Sequence, residues 1–116
     1  METTPRFLQG IFPFTGKGYD TSAMLGATLA YTVPGDRRSQ LIYFRAGNSS
    51  SELIVLSMMR DGKLMRLFPI GAKDAMHVSL AVVEDLMPDT KIEVVVSAPA
   101  GASGDVVLDI GLLEIT

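Results

Sequence analysis

The chain has 116 residues, 47% of them hydrophobic and 20% charged, with a formal net charge of −3. That composition suits one globular domain with a core of its own and excludes a disordered chain. With no cysteine and one histidine, disulfides, thiolate nucleophiles and zinc-thiolate sites are excluded, and an acidic balance without tryptophan argues against a nucleic-acid partner.

No run approaches the roughly 20 apolar residues of a membrane-crossing helix. The opening "METTPRFLQGIFPFTGKG" lacks the basic start and continuous apolar stretch of a secretory leader. A cytoplasmic protein with no membrane partner is expected. The charge is unevenly spread: residues 1–73 carry nine Lys/Arg and five acids, residues 74–116 only Lys91 against eight acids. If the strands of the two halves interleave, the asymmetry disperses in space; if they do not, it makes a charged surface.

Residues 1–25 form an N-terminal extension or a first strand, for which "RFLQGIF" (6–12) is the candidate. "GATLAYTV" (26–33) alternates as a strand does, with Leu29, Tyr31 and Val33 on one face. After the turn "PGDRRS" come the strand "QLIYFRA" (40–46) and the polar loop "GNSSSE" (47–52). "ELIVLSMMR" and "KLMRLF" flank Asp61-Gly62, a pair that supports the positive φ angles of a two-residue type I′ hairpin turn. The segment 73–87 is the one competitor for a helix, but the Val-rich "MHVSLAVV" (76–83) favours a strand. "TKIEVVVSA" (90–98) and "VVLDIGLLEI" (106–115) complete the series. The expected fold is all-β, a single-domain antiparallel β-sandwich or jelly roll of seven or eight strands.

"LIVLSMM", "SLAVV", "EVVVSA" and "VVLDIGLLEI" are apolar on both faces, whereas only one face of each sheet in a sandwich meets the core. Either a second copy or the N-terminal segment must cover the other face, and a homo-oligomer is expected. Methionine at 24, 58, 59, 65, 76 and 87 fits a self-packing surface.

Arg45 stands in a strand beside Tyr43 and Leu41, so its guanidinium either reaches solvent or is paired. Tyr43, Arg45 and Asn48 make a candidate ligand site at one end of the sandwich, for a sugar or a carboxylate. The plainer reading pairs Arg45 with a carboxylate such as Glu52 or Asp109. Asp109, set among apolar neighbours, needs an arginine, backbone amides or a hard cation, and Arg45 is the favoured partner. Arg60, Lys63 and Arg66 surround the hairpin and give it a basic tip, either a solvated edge or a meeting point for an acidic partner. His77 alone cannot make a transition-metal site. "GASGD" (101–105) lacks the spacing of a nucleophile elbow and "GKG" (16–18) that of a phosphate loop. No catalytic constellation, metal site or cofactor motif is visible.

"LIYFRAGN", "MRDGKLMR" and "SGDVVLDIGLLEI" together resemble, over residues 40–115, the galactose-binding-like jelly rolls of the carbohydrate-binding modules. The resemblance implies a non-catalytic module that binds carbohydrate and holds a structural calcium, with Asp109 matching a closing-strand acid that ligates it. The chain departs from that pattern in having no tryptophan and only Glu2 near the N-terminus for such an ion. The expected function is self-assembly, or service as a subunit of a larger complex; the alternative is a small-ligand or carbohydrate-binding module using Tyr43, Arg45 and Asn48.

Overall fold

Antiparallel pairing sets the architecture. The computed structural model describes residues 2–26, 29–80 and 84–116. Among them run β1 (Thr3–Thr15), β2 (Gly18–Met24), β3 (Tyr31–Thr32), β4 (Arg38–Asn48), β5 (Ile54–Arg60), β6 (Lys63–Ile70), β7 (Ala75–Ser79), β8 (Asp85–Leu86), β9 (Lys91–Ala98) and β10 (Ser103–Ile115). One sheet has the order β1-β10-β4-β7 with β8 also on β4, and the other β2-β9-β5-β6 with β3 also on β9. We call them the long sheet and the short sheet.

The expected β-sandwich is therefore present, with eight longer strands and two two-residue pieces. Period-2 alternation drives it. Val106, Leu108, Ile110 and Leu112 of β10 are buried, as are Ile92, Val94 and Val96 of β9 and Ile54, Leu56 and Met58 of β5. Phe44 of the long sheet stacks on Phe68 of the short sheet, with ring centroids 3.8 Å apart and planes 4° from parallel. Burying an aromatic or branched side chain of this kind stabilises by about 1.5–3 kcal/mol each.

The hairpin expected at Asp61-Gly62 is there. Both residues have positive φ, 51° and 79°, and Arg60 pairs directly with Lys63 across the turn.

Three expectations change. The N-terminal segment covers a face only in part: β1 is the edge of the long sheet and β2 the edge of the short one, with Leu8 and Phe14 on the core face, while Tyr19 of β2 reaches across the outer face of the short sheet to donate to the Leu53 carbonyl at 2.8 Å. The strand expected over 26–33 is a strand only at Tyr31–Thr32, with Leu29 and Val33 fully buried and residues 27–28 outside the described part. The strand expected over 76–83 ends at Ser79, and residues 81–83 lie outside the described part.

Charge asymmetry disperses in space. Arg6 and Arg37 pair with Glu114, Arg38 with Asp85, Arg45 with Asp109 and Arg60 with Glu84. In each of these five pairs an arginine of the basic half meets an acid of the acidic half, while Arg37–Asp36 and Lys91–Glu93 pair within one half.

Candidate functional site

The outward face of the long sheet carries a polar row at right angles to its strands. Register places Gln9 of β1 beside Asp109 of β10, Asp109 beside Arg45 of β4, and Arg45 beside His77 of β7. Arg45 Nη2 donates to Asp109 Oδ2 at 2.8 Å. Gln9 Nε2 and the Tyr43 hydroxyl both donate to Asp109 Oδ1, at 3.1 and 3.0 Å. The Arg45 guanidinium lies 5.8 Å from the Tyr43 ring centroid, and the His77 ring meets Tyr43 edge-on at 6.0 Å.

Gly111 explains how Tyr43 reaches Asp109. The ring lies against the Gly111 α-carbon so closely that a Cβ there would sit 2.1 Å from a ring carbon. Only glycine leaves that space.

Electrostatics follow from the bonds. Burial pushes the Asp109 carboxyl up, but bonds from Gln9, Tyr43 and Arg45 and the Arg45 charge outweigh it and hold it below its ordinary value. Burial, then the bond to Asp109, raises the Tyr43 hydroxyl. These surroundings do not suit a hard cation at Asp109: its oxygens face hydrogen-bond donors and a guanidinium, not further oxygen ligands. Among the described residues no cluster of three His, Asp or Glu side chains is placed to hold a metal.

Beside the row an open groove of about 510 Å³ is lined by Arg45, Gly47, Ala75, His77, Val107 and Asp109 among others. Gly47 forms its floor: a Cβ there would only reach ordinary contact with Val107 and Ala75, at 3.9 and 4.0 Å. The lining is mainly apolar, with the charged groups at one end.

Asn48 does not join this surface. It is 4% exposed and turned into the sandwich, three residues from Arg45 and so on the opposite face of the strand. Its Nδ2 donates to the carbonyls of Glu52 (2.8 Å) and Gly71 (3.1 Å), and its Oδ1 accepts from the Ser50 amide and hydroxyl. It organises the 49–52 turn. Leu41 likewise leaves the face of Arg45, because β4 has a bulge at Ile42 where Gly111 pairs with Tyr43 but Leu112 pairs with Leu41. The extra residue turns Leu41 inward beside Phe44.

The basic hairpin is less basic than its sequence. Arg60 Nη1 donates to Glu84 Oε2 at 3.0 Å, while Lys63 is exposed at the tip. Arg66 sits apart from both, half-buried opposite Met58 beyond the bulge of β6.

One cluster escaped sequence reading. Glu114 is 1% exposed and accepts from Arg6 Nε (3.1 Å), Arg37 Nη1 (3.2 Å) and the Tyr31 hydroxyl (2.5 Å). Burial pushes Glu114 up, but the Tyr31 and Arg6 bonds and the two arginine charges hold it below its ordinary value. Burial and the bond to Glu114 push the Tyr31 hydroxyl up to about 12. The signal was available: Glu114 has the parity of the inward residues Leu108, Ile110 and Leu112.

No protein-family model matches the chain, and no curated protein matches it in sequence. Solved structures show likeness of fold. The chain is similar to part of the insecticidal delta-endotoxin Cry8Ea1 of Bacillus thuringiensis, with TM-score 0.51 and 12% identity, covering 90% of this chain and 19% of that one. It is also similar to a family 35 carbohydrate-binding module from Clostridium thermocellum, with TM-score 0.49 and 14% identity over 94% of this chain and 97% of that one. A third is the structure of infectious bursal disease virus, Gx strain, with TM-score 0.45 and 13% identity over 97% of this chain and 36% of that one. The chain thus spans about a fifth of the length of the first. The fold is a two-sheet sandwich of jelly-roll type.

Proposed function

We propose that the protein works by self-assembly, as a subunit whose outward sheet faces are made to be covered. One observation carries this reading. On the outer face of the short sheet, register lines up Met24, Val95, Ser57 and Leu67 in one row and Glu93, Met59 and Leu64 in the next. Leu64 and Leu67 are each 56% exposed and Met24 50%. The adjacent Lys91 and Glu93 neutralise one another at 3.7 Å. Ser57, buried, and Glu93, half-buried, interrupt the rows, and the exposed Met24, Leu64 and Leu67 around them are the kind of apolar group that marks an interaction surface.

Solution mass by light scattering, at low and high salt, tests the reading. The expected result is an oligomer whose mass is unchanged by salt, since screening weakens exposed ion pairs and spares apolar contacts. A monomer at about 100 μM protein would overturn it.

The groove supports a second reading, a site for a small ligand with an apolar body and a polar head that meets Arg45 and His77. Gly47→Leu would fill the groove while the fold persists. Chemical shifts of the Arg45 and His77 side chains, titrated with a panel of small carboxylates and sugars, test it. Saturable shifts that vanish in Gly47→Leu support the site; flat titrations remove it.

A further inference from the structure

The long sheet ends in β1, and β1 has a two-fold pattern. Backbone bonds at its two extremities fix the direction of its peptide groups. Thr116 N donates to Glu2 O at 3.0 Å, and Gly16 N donates to Ala102 O. The thirteen pairs between β1 and β10 run without a register shift. Even-numbered residues of β1 therefore exchange bonds with β10, and odd-numbered residues point their N–H and C=O groups away from it. That outward side is a sheet edge, and among the described residues no backbone group meets the outward N–H groups of Phe7, Gln9 and Ile11.

Pro5 and Pro13 both stand at odd positions. Neither costs a ladder bond within the subunit, because the missing N–H would have faced outward. They stand at equal distances from Gln9, and between them Phe7 and Ile11 are also symmetric about Gln9. Phe7 and Ile11 are 53% and 68% exposed. An exposed apolar edge of this length is a ready template for another strand.

We infer that β1 pairs antiparallel with β1 of a second copy about a two-fold axis at Gln9, joining two long sheets into one. In that register Phe7 faces the partner's Ile11, Gln9 faces the partner's Gln9, and each proline faces a proline. Three successive pairs each exchange two backbone bonds, with apolar opposite apolar on the outward face. A shift by one pairing step in either direction sets Gln9 against an apolar side chain and puts a proline opposite Phe7 or Ile11, interrupting the ladder. The prolines therefore select one register and stop the strand from pairing further. The Gln9 carboxamide, held by its Nε2 to Asp109, keeps its Oε1 for the partner's carboxamide at the axis. The polar row then runs unbroken through both subunits.

This inference rests on the assembly reading and adds to the short-sheet face a second contact, at the edge of the long sheet. Its test compares the full chain with Ile11→Pro, with Phe7→Lys, and with the Leu64→Glu/Leu67→Glu double variant, by light scattering across a dilution series. Ile11→Pro removes an N–H that points outward and a side chain that makes no bond, so the folded subunit is retained; far-UV circular dichroism and the unfolding midpoint verify that. The expected result is a dimerisation constant weakened about tenfold or more by either edge variant, and slowed amide exchange at Phe7, Gln9 and Ile11 that is lost on dilution. An oligomer untouched by both edge variants but broken by the double variant overturns the edge contact and leaves the assembly reading standing. A wild-type monomer overturns both. Should Ile11→Pro lose its fold, Phe7→Lys and the exchange of the Gln9 amide in the wild type still decide.

Discussion

Tyr31 and Glu114 join the two sheets through one hydrogen bond. Tyr31 belongs to β3 of the short sheet and Glu114 to β10 of the long sheet, and the phenol donates to Oε2 at 2.5 Å. With Arg6 and Arg37 on the other oxygen, the carboxylate is a buried charge satisfied from three sides. An acid so deeply placed would otherwise be costly.

Replacing Glu114 by Gln leaves two guanidinium groups facing a neutral amide. Removing one partner of a buried ion pair costs on the order of 3 kcal/mol. Urea denaturation should show the midpoint falling with an unchanged slope. A loss below about 1 kcal/mol would mean that the arginines find water easily and that the cluster contributes little.

Stability should depend on pH in two windows. Glu114 and Asp109 are held below their ordinary values of 4.5 and 3.8. Their contribution is therefore complete above that range and is lost as pH falls below it, through the depressed folded values. Tyr31 is raised from 10.0 to about 12, so its contribution is complete below pH 10 and fades as pH climbs towards 12. Melting temperature measured against pH should fall on both sides, with a shallower acid limb in Glu114→Gln.

Arg45 and Asp109 touch, yet Arg45 is more than half exposed. A double-mutant cycle with Arg45→Gln and Asp109→Asn should give a coupling of about 0.5–1 kcal/mol, the range of a solvated pair. Strict additivity would mean that the contact has no energetic weight.

Gly111→Ala should destabilise by about 1–3 kcal/mol, because the new methyl group collides with the Tyr43 ring. In a Tyr43→Ala background the same change should cost much less. Equal costs in both backgrounds would trace the effect to the backbone and not to the ring.

The fold was legible where chemistry is local. Asp61-Gly62 carries its own turn geometry, and the alternation of β5, β9 and β10 marks the core face residue by residue. What escaped depends on contacts far away in the chain or on a single extra residue. The bulge at Ile42 has no sequence mark, yet it moves Leu41 from the face of Arg45 into the core. The Arg45–Asp109 contact was foreseen because an arginine and an acid each stood out in an apolar strand. Asn48 reads as a surface loop residue from its polar surroundings, whereas its parity in β4 turns it inward. Glu114 carries no such mark, because an acid near the end of a strand reads as solvent-facing, and Arg6, Tyr31 and Arg37 lie 108, 83 and 77 residues away.

The seam between β1 and β10 has a consequence for how the molecule is made. Every strand partner of β1 lies in β10, and synthesis at about 5–20 residues per second separates the two by roughly 5–20 s. During that wait β1 is a bare apolar strand, guarded by prolines on one side and unguarded on the side that β10 will take. A neighbouring nascent chain offers the same strand. Crowded translation, or refolding at high concentration, is then the condition under which this sandwich is most prone to misassemble, and slow dilution the one under which it closes on itself.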